Sequence, residues 1–237
     1  MREQNADVKN NTSSVQAGLI SITYYTDPLC CWSWAFECER QKLIALFENK
    51  VTWRYYMGGL LPAWNNYHDA INSISRPLQM GPMWMHAAEF TGATIRNEIW
   101  ANDPPASSYP ACIGVKCAAL QSGAAEEKYL FLVRKACMVD GKNIAKADVL
   151  FEVAKAVSVD ENIEFDVKLF KQHLFSNEGR EAFRKDLQEV KYRGINRFPS
   201  LLIRYNNYAK LIMGYQPVET IANSLNELIE KSPGIRA

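Results

Sequence analysis

One cysteine in this sequence occupies a position where a thiol can act as a nucleophile. Cys30 follows the turn-forming dipeptide Asp27-Pro28 and precedes a stretch of apolar residues at helical spacing. The N–H groups and dipole at the start of a helix favour an anion, and a cysteine there has a pKa of about 3.5–7.5 instead of about 8.5. Position alone leaves two interpretations open: a nucleophilic thiolate, or a small buried side chain that closes the corner between strand and helix.

Three other cysteines fall on stretches with helical spacing, namely Cys112, Cys117 and Cys137. No pair among them has the Cys-x-x-Cys spacing of a zinc site or a dithiol redox site, so we expect them to pack in a helical core. The three histidines are His68, His86 and His173. They also lack the spacing of a metal site, so the sequence predicts no bound metal and single histidines at the surface.

Composition narrows the possible partners. The 237 residues include 27 Lys and Arg against 26 Asp and Glu, a net charge of +1, whereas general nucleic-acid binders normally show a basic excess. The apolar runs are far shorter than the ~20 residues of a membrane-spanning helix. Residues 1–16 are polar and resemble no secretion signal, so we predict a disordered extension and a cytoplasmic protein without nucleic-acid or membrane partners.

Strand patterns lie near the two ends of the chain. Residues 19–26 are rich in β-branched and aromatic side chains and predict a buried strand, which a helix joins to a second strand at 51–57. Residues 199–205 and 209–214 predict a hairpin, and an amphipathic helix follows at 217–228. The ends therefore have the order β-α-β and β-β-α.

The middle of the chain is almost entirely helical. The predicted helices cover residues 78–90, 110–123, 126–138, 147–157, 166–175 and 178–192. Gly194 is expected just after the last of them, as a C-terminal glycine. We therefore predict an α/β domain from residues 17–62 and 194–232, interrupted by an all-helical insertion domain at 63–193.

Several motifs resemble one known family. The segment DPLCCWSWAFE is similar to the active-site turn of the DsbA-like branch of the thioredoxin superfamily, particularly the FrnE-type dithiol-disulfide isomerases, which usually carry Asp-Pro-x-Cys-x-x-Cys-Trp-x-Phe-Glu. Further similar segments, in the family's order, are Gly58-Gly59-Leu60, Tyr109-Pro110-Ala111, Gly141-Lys142-Asn143-Ile144 and Asn196-Arg197-Phe198-Pro199-Ser200. The resemblance spans most of the chain and implies a thioredoxin-like fold with a helical insertion.

The resemblance also implies roles for individual residues. The peptide bond between Phe198 and Pro199 is expected to be cis, although only about 5–6% of such bonds are cis in folded proteins, and its loop is expected beside the active-site helix. Arg197, Phe198 and Pro199 would then contact a peptide or thiol substrate, with Phe198 as a wall that covers the sulfur. Trp32 would shield the thiol or pack beneath it, and Asp27 would tune its pKa or end the strand.

One position departs from the family pattern. Ser33 replaces the second motif cysteine, so the four residues read Cys30-Cys31-Trp32-Ser33. A serine hydroxyl can donate a hydrogen bond to a thiolate, but it cannot resolve a mixed disulfide. We therefore predict a thiol-disulfide oxidoreductase or isomerase-like enzyme that uses Cys30 and Ser33, with glutathione or another external thiol as co-substrate and no tightly bound cofactor.

Other resolving groups and other functions stay open. Cys31 could pair with its neighbour Cys30 only in strained geometry, and Cys38 lies roughly 12 Å further along the helix. Alternatively, the scaffold is a redox-inactive adaptor or peptide-binding protein, as in DsbA-like relatives that present a transcription regulator to a Clp protease. A second alternative is a glutathione-dependent transferase or isomerase of the kappa-like branch, whose serine occupies the motif position held here by Cys30. The sequence does not indicate an oligomeric state.

Overall fold

The strands form one mixed sheet in the part of the chain that the computed structural model describes, residues 20–47, 50–70 and 72–232. The predicted extension at residues 1–16 lies outside the described residues. The strands are β1 (Ile20–Thr26), β2 (Val51–Met57), β3 (Ser200–Tyr205) and β4 (Tyr208–Met213). They are arranged in the order β2-β1-β3-β4.

Strand pairing brings the segments that carry the predicted site to one end of the sheet. β1 runs parallel to β2 and antiparallel to β3, and β4 runs antiparallel to β3. In this register Thr26 lies opposite Met57, and Tyr25 lies opposite Ser200. The turn after β1, the end of β2 and the loop before β3 therefore meet at the same end of the sheet.

Two helices belong to the sheet pattern. α1 (Cys31–Phe47) joins β1 to β2, and the carboxylate of its Glu39 accepts a hydrogen bond from the backbone N–H of Val218 at 2.7 Å. Val218 begins the last helix of the described residues, which follows β4 and ends at Lys231. The β-α-β and β-β-α order predicted from the sequence is therefore confirmed.

The intervening segment is helical, as predicted. Its helices are α2 (Met80–Thr91), α3 (Ile99–Asn102), α4 (Tyr109–Ala119), α5 (Gly123–Met138), α6 (Ala147–Ser158), α7 (Val167–Phe175) and α8 (Asn177–Tyr192), and the helix after β4 is α9 (Val218–Lys231).

The prediction missed α3, which is too short to show a helical period. It also placed Gly123 at the end of one helix, whereas Gly123 begins α5 because the Ser122 hydroxyl caps that helix by accepting a hydrogen bond from the Ala125 N–H at 3.0 Å. Gly194 follows α8 with φ of +65°, as expected for a C-terminal glycine.

The helices and the sheet pack over a shared core. One continuous cluster of buried side chains includes Ile22 of β1, Trp84 of α2 and Val133 of α5. The division of the chain into two domains stays a prediction, because the parts share this cluster. No helix within the described residues combines the length and apolar character that crossing a bilayer requires.

A candidate thiol site at the start of the first helix

Cys30 lies in the turn between β1 and α1. Its N–H donates a hydrogen bond to the carbonyl oxygen of Asp27 at 3.1 Å, and its own carbonyl accepts one from the N–H of Trp34 at 3.1 Å. Cys30 therefore directly precedes α1 and accepts the helix's first backbone hydrogen bond. Only 6% of the residue is exposed.

Asp27 is completely buried at the start of this turn. Its carboxylate accepts hydrogen bonds from Leu29 N–H (2.8 Å), Leu60 N–H (2.7 Å), Ser108 Oγ (3.0 Å) and Cys112 Sγ (3.3 Å). Burial raises the pKa of Asp27, and the two backbone N–H groups act in the opposite direction. The side chain thus fastens the turn to the segment after β2 and to the insertion.

The loop before β3 supplies a backbone acceptor for the sulfur. The Cys30 thiol donates a hydrogen bond to the carbonyl oxygen of Phe198, with an Sγ···O distance of 3.5 Å. The peptide bond between Phe198 and Pro199 is cis. The Phe198 ring packs against Gly58, so the carbonyl, and not the ring, makes this contact with the sulfur. The side chain of Arg197 is exposed at the edge of the same cleft.

Burial has the largest effect on the electrostatic environment of Cys30. Burial raises the pKa of the thiol, and the charge of Asp27 raises it further. Hydrogen bonding from Ser33 and the charge of Arg134 lower this pKa, but burial has the largest effect. Of the two interpretations that the position of Cys30 leaves open, these effects favour the buried thiol in the resting protein, because removing the sulfur from water disfavours the thiolate more than the helix start favours it.

Ser33 lies in the first turn of α1 and is buried. Its carbonyl accepts a hydrogen bond from the Tyr24 hydroxyl at 3.2 Å, but its own hydroxyl has no hydrogen-bond partner among the described residues. A buried polar group without a partner costs about 1–3 kcal/mol. A thiolate at Cys30 is an acceptor for that hydroxyl, and this interaction lowers the pKa of Cys30. The arrangement is suited to a site in which Cys30 loses its proton during a reaction.

The two weaker resolving candidates have different environments. Cys31 is completely buried, and burial raises its pKa well above the usual value, with the charge of Cys30 acting in the same direction. Cys38 is exposed on α1. Neither forms a disulfide in the structure. Burial therefore makes Cys31 a poor nucleophile.

The cysteines of the insertion pack as predicted. Cys112, Cys117 and Cys137 are completely buried among the core side chains. Across the described residues, no group of three or more His, Cys, Asp or Glu side chains is arranged to hold a metal ion. His68 and His86 are exposed, in agreement with the prediction, whereas His173 is half-buried.

Cys30 borders a cleft of about 840 Å³. Its walls are formed by the Phe198 loop, by residues 67–70 and 72 of the insertion, by α2 and by the segment after β4. The side chains of the methionine-rich segment at residues 80–86, at the start of α2, differ in exposure. Met80 and Trp84 are completely buried, whereas Met83 lines the cleft. The cleft is therefore lined both by the ends of the chain that form the sheet and by the helical segment between them.

Four aromatic rings form one side of the cleft. The Trp32 ring centre lies 5.6 Å from that of His86, 5.9 Å from that of Phe90 and 5.9 Å from that of Tyr215. Phe90 is 66% exposed. Trp32 was predicted from the sequence as a residue of the site, whereas Phe90 and Tyr215 were not. The separation of four residues between His86 and Phe90 on one helix was an available signal, whereas nothing local places Tyr215 beside them.

A buried cation, Arg134, lies beneath the turn and was not predicted from the sequence. Nη2 of Arg134, on α5, donates a short hydrogen bond to Thr26 Oγ1. Its guanidinium lies 5.6 Å from the centre of the Tyr24 ring, and Nη1 lies 3.8 Å from Glu37 Oε2. The available signal was an arginine inside the otherwise largely apolar stretch YLFLVRKACM. Arg134 connects the insertion to the last residue of β1.

The fold and the site together define a class of protein. A cysteine precedes the helix after β1, the loop before β3 faces it, and the sheet has the β-α-β and β-β-α order of thioredoxin-like proteins. The profile of the thioredoxin family matches residues 24–223. The chain belongs to the thioredoxin family.

This chain is similar to several individual proteins over most of its length. It is 26% identical over 217 residues to the ClpXP adapter protein SpxH of Halalkalibacterium halodurans, covering 90% of this chain and 69% of that protein. A candidate protein disulfide isomerase from Nitrosomonas europaea has a TM-score of 0.73 at 20% identity, covering 91% of this chain and 100% of the other. The cytosolic disulfide reductase DsbM of Pseudomonas aeruginosa has a TM-score of 0.67 at 17% identity, covering 89% of this chain and 99% of the other. The structure of DsbM with GSH has a TM-score of 0.64 at 18% identity, covering 88% of this chain and 99% of the other. The fold is therefore DsbA-like, as predicted.

Proposed function

We propose that this protein is a thiol-disulfide oxidoreductase in which Cys30 is the only nucleophile and an external thiol, such as glutathione, resolves the mixed disulfide. The observation that carries the proposal is the position of Cys30 Sγ, beside a cleft and 3.5 Å from the Phe198 carbonyl oxygen. Ser33 at the second motif position supports a single-thiol cycle. The assignment to the FrnE-type isomerases rests on the sequence motifs and is part of this proposal. The similar protein from Halalkalibacterium halodurans has a different name, ClpXP adapter protein SpxH.

The proposed cycle has two exchange steps. The Cys30 thiolate attacks one sulfur of a substrate disulfide, forms a Cys30–substrate disulfide and releases the other sulfur as a thiolate, which takes up a proton. A glutathione thiolate then attacks the substrate sulfur of that mixed disulfide and releases the Cys30 thiolate. One substrate disulfide and one glutathione thus give one substrate thiol and one glutathione–substrate disulfide. A second glutathione completes reduction, giving the other substrate thiol and oxidised glutathione.

The residues around Cys30 have distinct parts in this cycle. A substrate that donates a hydrogen bond to the Phe198 carbonyl oxygen competes with the Cys30 thiol for this acceptor, so the thiol proton is held less firmly. The Ser33 hydroxyl, which has no other partner among the described residues, then donates to the thiolate. Cys30 is the catalytic residue. Trp32, Arg197 and Phe198, which line the cleft, are the proposed substrate contacts. Pro199 is buried and does not line the cleft, so its proposed part is to shape the loop that carries Phe198.

The comparison with DsbM supports both the proposed co-substrate and the proposed location. That protein is a cytosolic disulfide reductase whose structure has been determined with GSH. Reduction by glutathione requires a compartment that keeps glutathione reduced, as the cytoplasm does. We therefore propose glutathione as the resolving thiol and a cytoplasmic location.

A second candidate function is a protein adaptor. It is favoured by the similarity to a ClpXP adapter protein over 90% of this chain, and by an aromatic surface in which Phe90 is 66% exposed. In this function the cleft binds a protein segment and no sulfur exchange takes place. The two functions differ in their dependence on Cys30.

The decisive experiment combines adduct mapping with a turnover assay. The wild-type protein is incubated with oxidised glutathione, and adducts are located by peptide mass spectrometry. Glutathione-dependent reduction of a mixed disulfide between glutathione and a peptide is then measured for wild type, Cys30→Ser and Cys38→Ser. Because Cys38 is exposed and lies outside the lining of the cleft, its replacement is the matched control.

We expect a glutathione adduct on Cys30, loss of turnover in Cys30→Ser and wild-type turnover in Cys38→Ser. An internal disulfide instead of an adduct would show that a second cysteine resolves the exchange. Turnover that survives in Cys30→Ser would favour a transferase of the kappa-like type, in which the glutathione sulfur is the nucleophile. Capture of a partner by Cys30→Ser, with no turnover in wild type, would favour the adaptor.

A further inference from the structure

The segment after β2 is held firmly by its neighbours. Four N–H groups between residues 57 and 61 donate hydrogen bonds: Met57 to Asp186 Oδ2 (2.9 Å), Gly58 to Thr26 O (2.6 Å), Leu60 to Asp27 Oδ2 (2.7 Å) and Leu61 to Ser108 Oγ (3.1 Å). The acceptors belong to β1, the turn after it, and the insertion. A shift of this backbone would break several buried hydrogen bonds together, so the segment is a rigid surface.

The Phe198 ring rests against this surface at Gly58. A Cβ on Gly58 would lie 2.5 Å from both Cε atoms of the ring, and closer still to its Cζ. Real Cβ atoms essentially never approach other heavy atoms within 3.0 Å. Any side chain at position 58 therefore requires the ring to move, because the backbone of Gly58 is fastened.

Phe198 also packs against a small apolar cluster. The buried members of that cluster are Tyr25, Val190, Ile195 and Leu202. They come from β1, from the end of α8 and the segment after it, and from β3. The ring is thus in contact both with these side chains and with the backbone of Gly58, and these contacts determine where the Phe198 backbone lies.

The carbonyl of the same residue accepts the Cys30 thiol hydrogen bond at 3.5 Å. We propose that Gly58 is a positioning residue for Cys30: it seats the Phe198 ring, and the seated ring holds the Phe198 carbonyl at the sulfur, which keeps the thiol protonated and slow to react. The inference rests on the proposed function, because it concerns the same nucleophile, and it adds the contact that regulates this nucleophile.

The physical basis is the difference between a thiol and a thiolate at a carbonyl oxygen. A thiol donates a proton to that oxygen, whereas a thiolate has no proton to donate and meets the negative end of the carbonyl dipole. A hydrogen bond made only by the neutral form stabilises the neutral form. Moving the Phe198 carbonyl away therefore favours the thiolate, and it also admits water to the sulfur.

The test is the alkylation rate of Cys30 in Gly58→Ala, measured across a pH series with iodoacetamide and peptide mass spectrometry. We expect Cys30 to react about threefold faster or more at neutral pH, with a pH profile shifted towards lower pH. The exposed Cys38 of the same molecule is an internal reference whose rate stays constant. Gly123→Ala is the matched control, because a Cβ at Gly123 meets nothing within 4 Å. We expect it to react like wild type.

A double variant shows whether the ring transmits the effect. Phe198→Ala removes the ring that holds the carbonyl of residue 198 at the sulfur, so we expect Cys30 to react faster than in wild type. The same substitution removes the atoms that a Cβ at position 58 would meet, so adding Gly58→Ala should change the rate no further. If Gly58→Ala itself does not fold, Phe198→Ala and the double variant, which lacks the clash, provide the same comparison. Circular dichroism and urea unfolding verify that each variant is folded.

Either of two results would overturn the inference. One is an unchanged Cys30 rate in Gly58→Ala or Phe198→Ala. The other is an equal acceleration by Gly58→Ala with and without the Phe198 ring. Failure of the proposed function is distinguishable, because it consists of absent glutathione-dependent turnover in wild type, whatever the alkylation rates of the variants are.

Discussion

The hydroxyl of Ser108 donates a hydrogen bond to Asp27 Oδ2 at 3.0 Å, and the same oxygen of Ser108 accepts the N–H of Leu61 at 3.1 Å. Ser108 belongs to the insertion and directly precedes α4, whereas Asp27 directly follows β1 and is buried. The turn that carries Cys30 is therefore completed by a residue about eighty positions away in the chain. The insertion is part of the thiol site and not only an addition to the sheet.

Replacing Ser108 tests this connection. Ser108→Ala leaves the buried Asp27 carboxylate and the Leu61 N–H each short of one partner, so we expect the free energy of unfolding to fall by about 1–3 kcal/mol. Urea unfolding followed by circular dichroism measures this change. Ser158→Ala is the control, because Ser158 is exposed and its hydroxyl donates to the Lys155 carbonyl at the end of its own helix. The effect of this substitution should stay within about 0.5 kcal/mol. Equal effects of the two substitutions would contradict the structural role of Ser108.

Ser33 is expected to determine how the mixed disulfide is resolved. Ser33→Cys restores a Cys-x-x-Cys motif, so we expect an internal disulfide with Cys30 on oxidation, detected by mass spectrometry as the loss of two hydrogens. Ser33→Ala removes a hydroxyl that lowers the pKa of Cys30, so Cys30 alkylation should slow at neutral pH. Unchanged alkylation in Ser33→Ala would show that the hydroxyl does not reach the sulfur.

Arg134 is expected to affect both stability and reactivity. Arg134→Met removes the buried cation beside Thr26 and Glu37, and breaking a buried charge interaction from one side typically costs about 3–5 kcal/mol. Its charge lowers the pKa of Cys30, so the variant should also alkylate more slowly. Arg184→Met, which removes an exposed ion pair with Glu181, is the control and should change stability by less than about 1 kcal/mol. Matching effects at the two arginines would refute the prediction.

Asp186 is expected to make stability depend on pH. Burial raises its pKa from 3.8 to about 6, against the opposing charge of Lys116 and the N–H of Met57. Between these values the folded state binds more protons than the unfolded state. The stabilising contribution is therefore fully present below pH 3.8 and is lost as pH rises through about 6, a change of about 3 kcal/mol.

The measurement compares urea unfolding of wild type and Asp186→Asn from acidic to neutral pH. The asparagine does not titrate, so the stability of the variant relative to wild type should increase as pH rises through this range. Lys116 and Glu126 remain in both proteins, and subtraction removes the titrations that do not depend on Asp186. Parallel stability curves would show that Asp186 has an ordinary pKa.

Much of the architecture was predictable from local patterns. The strand at residues 51–57 and the helix at 178–192 were located to within a residue, because their apolar spacing follows the geometry of the elements themselves. The turn at Asp27-Pro28 was also identified, because proline restricts the chain locally. The loop at Phe198-Pro199 was expected from the resemblance to the DsbA-like family. The four-residue α3 left no period to detect, and the boundary at Gly123 depended on a single capping hydroxyl.

The sequence by itself determined the order of the elements, the cysteine Cys30 that directly precedes α1, and the absence of a second motif cysteine at Ser33. Only the tertiary structure decided the chemistry around that cysteine. It buried Cys30 and thereby raised the pKa of its thiol, brought Ser108 and Arg134 to the turn, and seated Phe198 on Gly58. The physical reason is that helical spacing and turn formation arise between near neighbours in the chain. Burial, charge and close contact at the sulfur depend instead on residues that meet only when the sheet and the insertion pack together.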